Sequence, residues 1–366
     1  MFDFSGSFTR SSMDDYNTAG NIEGDIYYNT GYRRKDNYSL NIGAEFLPGN
    51  RVGLIYTNFD SDGVGNPDAL YQNDLDDYND SNNRSLDLTY DGRTSEGLFS
   101  WKAKYYEGKN KDKWFDPIES NPDGWDDGLP RKVTTDHKGA QAQVSLNQEY
   151  LLVTTGFDWM NYKTEDDTYS PKSTEYDNPA YFLLAKTRLL DKRLIFSGGL
   201  RYDKYEVEVK EGEGGKEDDN NLSPRFGAAY LLTDYLKIRA NYGEAFRMPS
   251  ADELAANYPG WFGNYIGNPN LDPEQSETYE GGFDFSLASL NLSLTYFTTD
   301  FEDKIETKSL PSGDITWENV GKAEMSGFEG ELSYDIGFLF DWDFQCPVSK
   351  ESCHMILAFF LTGIFS

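Results

Sequence analysis

Hydrophobic and polar residues alternate along most of this chain with a period of two. The pattern is clear at Tyr38, Leu40, Ile42, Ala44 and Phe46; at Leu86, Leu88 and Tyr90; and at Phe99, Trp101, Ala103 and Tyr105. It returns at Leu194, Phe196, Gly198 and Leu200 and at Leu290, Leu292, Leu294 and Tyr296. Successive side chains of a strand point to opposite faces, so this pattern predicts strands with one apolar and one polar side. The connections alternate too. Short turns fall around Pro48-Gly49-Asn50, Asp91-Gly92, Asn147-Gln148, Asp191-Lys192, Thr233-Asp234 and Ala288-Ser289. Between them come long polar stretches at 11–37, 60–83, 108–136, 163–177, 207–221, 247–275 and 303–313. Tight turns at one end and extended loops at the other are the pattern of a transmembrane antiparallel β-barrel. About fourteen strands of roughly ten residues follow from this reading. A soluble sandwich would also alternate, but it would not keep every second connection so long.

The stretch YGEAFRMPSADELAANYPGWFGNYIGNPNLDPEQSETY, from Tyr242 to Tyr279, joins two such strands. Pro249 cannot donate to a ladder, so the strand before it should end there. Ser250 and Glu253 have capping-box spacing ahead of Leu254-Ala255-Ala256, which predicts a short helix. Gly267-Asn268-Pro269-Asn270-Leu271-Asp272-Pro273-Glu274 then sets a rigid turn back to the next strand. The order of Phe246, Arg247, Pro249 and Ser250, then Asn268, Pro269, Asn270, Leu271, Pro273 and Glu274, resembles the TonB-dependent outer-membrane receptors, in particular their cobalamin and siderophore branch. Gly198-Gly199-Leu200-Arg201-Tyr202-Asp203, Asn319-Val320-Gly321-Lys322-Ala323 and Gly327-Phe328-Glu329-Gly330-Glu331 extend the resemblance over residues 1 to 335.

That resemblance implies an all-β fold: a barrel of about 22 strands, of which this chain holds a part, closed by an N-terminal plug that this sequence does not show. It also implies the bacterial cell outer membrane and energy-coupled uptake of a siderophore, cobalamin or similar large nutrient. The TonB complex would be the partner, although its contact motif is not found here. The chain is expected to start in an early barrel strand, to lack closing strands and to be unstable alone. Residues 336–366, with Cys346, Cys353 and an apolar run from Met355 to Phe365, break the alternation and read as an atypical tail, out of frame or unrelated.

With 33 basic and 63 acidic residues the formal charge is −30, which excludes nucleic acid as a partner. Hydrophobic residues make up 38% and aromatic ones 16%, too polar for a helical membrane protein yet suited to a barrel with aromatic girdles and outer-membrane lipid around it. Catalysis has few reagents. The histidines are His137 and His354, and no nucleophile elbow or zincin helix occurs, so no enzyme and no required cofactor are expected. His137 reads as a surface residue opening a strand.

For ligand capture, Tyr258, Trp261, Phe262 and Tyr265 offer stacking area in the long loop. The equally weighted alternative has them packing the loop or standing at the membrane interface. Haem falls behind on the same resemblance, which implies for haem receptors a histidine between the two boxes, and residues 251 to 267 contain none. The acidic loop holding Asp60, Asp62, Asp74 and Asp76 supplies oxygen ligands for calcium if they converge; the first reading is a solvated loop. Two rival functions stay open: a passive porin, and a calcium-binding surface β-protein or adhesin.

Overall fold

The computed structural model describes residues 1–15, 30–66, 76–119, 128–211, 215–260, 262–335 and 354–365, the last stretch as backbone. Its strands are β1 (Phe2–Met13), β2 (Tyr32–Leu47), β3 (Asn50–Gly65), β4 (Tyr78–Arg93), β5 (Phe99–Phe115), β6 (Arg131–Asn147), β7 (Leu151–Asp166) and β8 (Ser173–Leu189). There follow β9 (Leu194–Glu211), β10 (Lys216–Thr233), β11 (Leu236–Arg247), the helix α1 (Ala251–Ala255), β12 (Asn257–Gly260) and β13 (Gly263–Ile266). The chain continues through β14 (Glu274–Leu287), β15 (Leu290–Ser309), β16 (Ile315–Asp335) and β17 (His354–Phe365).

Each long strand pairs antiparallel with the next. The order runs from β1 to β11, passes directly to β14 and ends on β17. The strands expected from alternation are β1 to β11 and β14 to β16. β17, from the tail, adds itself to β16 through the register Leu332↔Leu357. β12 and β13 form a hairpin of their own inside the long loop. Among the described residues β1 pairs only with β2 and β17 only with β16, so the sheet is not closed.

The register aligns like faces across the sheet. Phe157 stands opposite Tyr181 and Tyr181 opposite Tyr202; one rung toward the tight turns, Thr155, Leu183 and Leu200 align. Tyr181, Leu183, Leu200 and Tyr202 are exposed, as are Leu40, Ile42, Phe226, Ile238 and Tyr296 on the same face of other strands. A sheet with a continuous exposed apolar band suits hydrocarbon rather than water. No helix among the described residues is long and apolar enough to cross a membrane. The opposite face carries ion pairs: Arg201 Nη1 lies 2.6 Å from Asp158 and its Nε 2.9 Å from Asp203, and Lys237 lies 2.7 Å from Asp284. That face is the lumen wall.

The strands run longer than the expected ten residues, up to 21 in β16. The surplus comes from segments read as loops. β9 continues to Glu211 and β10 begins at Lys216, so most of 207–221 is ladder. Beyond the membrane both faces meet water. Polarity contrast disappears there while backbone pairing continues.

Candidate functional site

The buried apolar core of this sheet protein sits under one loop. Val207 of β9, Leu254 and Ala255 of α1, Leu271 and Ile305 of β15 form a buried cluster, with Tyr176, Met248 and Trp317 packed against it. Val207 lies on the lumen face of β9, so the loop between β11 and β14 folds inward over the wall and lids it. The local causes are those set by the sequence. β11 ends at Arg247, and Pro249, two residues on, is fully buried. Ser250 Oγ accepts from the Glu253 amide at 3.2 Å while the Glu253 carboxylate accepts from the Ser250 amide at 2.7 Å, which starts α1.

Arg247 holds both ends of the loop. Its Nε donates to Glu274 Oε2 at 2.6 Å, and its two terminal nitrogens reach Glu253 at 3.0 and 3.1 Å. The second oxygen of Glu274 accepts from the Ile305 amide at 2.7 Å. One guanidinium therefore ties the end of β11 to the helix cap and to the start of β14, which is tied in turn to β15. The Arg247 guanidinium, with the Ile305 amide, holds the Glu274 carboxyl below its ordinary pKa, and Glu274 in return raises that of Arg247.

The proline-rich turn is fixed by three elements. Gly267 and Asn268 donate their amides to the carbonyls of Ala256 and Glu253 at 2.8 Å each. A Cβ on Gly267 would stand 2.3 Å from the Ala255 nitrogen, so only glycine brings the turn this close to α1. Asn268 Nδ2 donates to the Trp317 carbonyl at 2.9 Å, and its Oδ1 accepts from the Asn270 amide at 3.0 Å. Pro269 and Pro273 bracket this turn, and Leu271 plugs into the buried cluster. Asn319 on β16 grips the turn from the far side. Its Oδ1 accepts from the Asp272 amide at 2.8 Å, and its Nδ2 donates to the carbonyls of Asp272 and Asp303 at 2.9 and 2.6 Å.

Beside this latch lies a cavity of about 770 Å³ between α1 and the lumen side of β6 to β9. Arg131, Tyr162, Tyr176, Phe246, Asp252 and Tyr258 line it. Tyr258 donates to Asp252 at 3.1 Å and stacks on Tyr265 at 5.3 Å; Tyr265 packs on Trp317 at 5.7 Å. Tyr169 closes on Tyr258 at 5.6 Å with Arg131 4.4 Å over its ring. Burial raises the Asp252 pKa, and burial beside Asp252 pushes the Tyr258 phenol up to about 12. Such a cleft offers flat aromatic area, a guanidinium and a half-buried carboxyl, a lining suited to a bulky ligand with polar edges.

The aromatic quartet from the sequence is divided. Tyr258 faces the cavity and Tyr265 packs the loop, whereas Phe262 at the hairpin tip is 87% exposed. Trp261 lies outside the described residues. So does Asp74 of the acidic set; Asp60 and Asp62 are engaged by Arg34 at 2.7 Å and Arg33 at 2.9 Å. No group of three or more metal-ligating side chains, with or without Asp76, gathers among the described residues. His137 does not open β6; it sits inside that strand, half-buried, opposite Gly108, where a Cβ would be 2.4 Å from its ring. Sequence reasoning missed Arg131, Tyr162 and Tyr176, which reach the cavity from β6, β7 and β8, and Tyr169, which reaches it from the turn between β7 and β8. It read Asn319 as a family box without joining it to the turn.

Comparison with known proteins agrees with this geometry. Heme/hemopexin utilization protein C of Haemophilus influenzae (strain 86-028NP) is 26% identical over 238 residues, 56% of this chain and 33% of that protein. The ferric enterobactin receptor of Pseudomonas aeruginosa is 27% identical over 269 residues, 62% of this chain and 34% of the receptor. The chain thus spans about a third of the length of these curated relatives. Among solved structures, a double mutant of the Serratia marcescens hemophore receptor HasR, in complex with its hemophore HasA and heme, superposes with a TM-score of 0.76. That match has 19% identity and covers 91% of this chain and 57% of that one. The sequence model described as "TonB dependent receptor-like, beta-barrel" matches residues 3–362, and with the Arg247 latch, the lidded lumen wall and the exposed apolar band, this chain belongs to that family.

Proposed function

We propose that this chain is the barrel portion of an outer-membrane receptor that takes up a large, scarce nutrient, a ferric siderophore, cobalamin or a similar molecule, with energy from the TonB complex. The observation that carries the reading is the cleft beneath the β11–β14 loop, where Tyr162, Tyr176, Tyr258 and Arg131 meet inside the lumen mouth. An open pore needs no such lid. In this reading the rings supply contact area, Arg131 meets anionic oxygens of the cargo, and the Arg247 latch keeps the loop from blocking the lumen. Calcium stays a secondary element at Asp60, Asp62, Asp74 and Asp76, to be tested by calcium titration. The protein acts as a transporter and catalyses no bond change.

Uptake measurements with cells producing the intact receptor separate this from the passive porin. Saturable uptake of a labelled ferric siderophore or cobalamin, abolished by deleting TonB and weakened by Tyr258→Ala with Arg131→Gln, is expected. Unsaturable, TonB-independent uptake with ohmic conductance in planar bilayers would establish the porin instead. Recovery in the soluble fraction would establish the adhesin.

A further inference from the structure

The cavity beneath the β11–β14 loop has five charged side chains in its lining, and nearly all their bonding capacity is already used within the protein. Arg247 has every guanidinium nitrogen on Glu253 or Glu274. Glu175 accepts from Asn161 at 3.1 Å and pairs with Lys210 at 3.2 Å. One oxygen of Asp166 takes the amides of Thr168 and Tyr169, and the other takes Arg131. Arg131 gives Nε and Nη2 to that carboxylate at 3.2 and 2.6 Å, and its Nη1 has no acceptor among the described residues. Asp252 accepts the Tyr258 hydroxyl on Oδ2 at 3.1 Å, and its Oδ1 has no donor among the described residues. What these charged groups leave open is one donor nitrogen and one acceptor oxygen. The charge of Arg131 acts on the Asp252 carboxyl, yet the guanidinium is bonded to Asp166 instead.

We propose that Arg131 and Asp252 together read a primary carboxamide on the rim of the cargo, so that the cleft takes a neutral, carboxamide-edged ligand in preference to a polyanionic iron chelate. The proposal rests on the receptor reading above and narrows the oxygens that Arg131 meets to a single carbonyl. A primary carboxamide carries a carbonyl acceptor and an N–H donor side by side on one edge, the complement of the open Nη1 and Oδ1. A secondary amide in its trans form points donor and acceptor to opposite sides and meets only one of them. A carboxylate in the same place sets an acceptor and a like charge against Asp252, and an unmet acceptor in a cleft is costly. A chelate edged with several carboxylates or catecholates finds one uncommitted guanidinium nitrogen here, because Arg247 is fully engaged. Tyr258 is a positioning residue that fixes the Asp252 carboxylate through its second oxygen. The stacked rings of Tyr162 and Tyr176, 4.7 Å apart, supply a flat wall for the apolar body of such a ligand.

The test measures binding on ice to cells that produce the intact receptor and lack TonB, so that binding is read apart from transport. The probes are cyanocobalamin, its separate monocarboxylic acids, each with one rim carboxamide hydrolysed to a carboxylate, and ferric enterobactin. Cyanocobalamin should bind saturably and more tightly than ferric enterobactin, and at least one monocarboxylic acid should bind about ten-fold more weakly than the parent. Asp252→Asn keeps an acceptor for Tyr258 and presents an amide where the open oxygen stood. It should bring that acid to within a few-fold of cyanocobalamin, a rescue that a purely structural role for Asp252 would not produce. If the variant does not reach the outer membrane, the probe series on the natural receptor decides the matter. Absence of saturable cyanocobalamin binding, equal affinity for cyanocobalamin and all its acids, an unchanged order in Asp252→Asn, or tighter binding of ferric enterobactin would overturn the proposal. In that last case, saturable TonB-dependent uptake of ferric enterobactin in cells with TonB leaves the receptor reading standing, whereas unsaturable TonB-independent uptake removes both.

Discussion

Arg247 is the residue on which the loop depends, because it holds three attachments with one side chain. Arg247→Ala removes the bonds to Glu253 and Glu274 and leaves Glu274, mostly buried, with the Ile305 amide and the more distant charge of Lys304. Charge-assisted bonds of this kind contribute about 1.5–3 kcal/mol, and the partial exposure of Arg247 reduces that to about 1–2 kcal/mol of loop stability. Limited proteolysis between residues 250 and 270 should accelerate correspondingly, about ten-fold, while β6 to β9 stay resistant. The same site has a pH signature. The Glu274 pKa lies lower in the fold than in the free chain, so its contribution is complete above the ordinary glutamate value of 4.5 and fades as acid protonates it. Asp252 runs the other way: burial raises its pKa, so the fold prefers it protonated, and that contribution is lost as pH rises through the raised value. Loop protection measured by proteolysis should therefore fall below about pH 4.5 in the natural chain and lose that acid limb in Glu274→Gln. An unchanged acid limb in the variant would assign it to other carboxylates.

At the scale of elements, the loop between β11 and β14 folds as a unit because its parts satisfy one another. α1 is five residues long, too short to persist without its cap and its packing. Leu254 gives it an apolar anchor against Val207, Leu271 and Ile305. Leu254→Ala should cost about 2–4 kcal/mol, the range for truncating a buried leucine. Asn319→Ala deletes bonds to Asp272 and Asp303 and should cost about 2 kcal/mol, read as faster amide exchange in residues 268–273 without change in β2 to β5. If that exchange is unaltered, Asn319 is not the clamp described here. The cap, the break at Pro249 and the turn at Gly267 were legible in the sequence because each is a local matter of dihedral angles and spacing. So were the strands within the membrane, where alternation reports two unlike environments. The cavity was not, since Arg131, Tyr169 and Tyr258 meet through folding of segments far apart in the chain, and no local pattern encodes that. β17 was hidden for another reason: the run from Met355 to Phe365 is apolar except at Thr362 and Gly363 and gives no period of two, although its backbone pairs with β16.

For the whole molecule, the deciding fact is that the described sheet has two edges. Each interior strand satisfies its backbone on both sides, but β1 offers one face of donors and acceptors beyond β2, and β17 one beyond β16. In water such an edge is hydrated at little cost. In hydrocarbon each unsatisfied group costs several kcal/mol, which is why barrels in membranes close. A sheet of this length curls with its twist, and the chain by itself must shield both edges by contact with further strands, another copy or detergent. The central strands β4 to β9 do not share this burden. The 366-residue chain in detergent should accordingly show a gradient: amide exchange slow in β6 to β8, and faster by two or more orders of magnitude in β1 and β17. Mixing with lipid vesicles should drive association through the edges, seen as concentration-dependent cross-linking between β1 and β17 of different copies. Equal protection of β1 and β7 in a monomer would mean that the edges are closed on each other, and the open-sheet description would then fail.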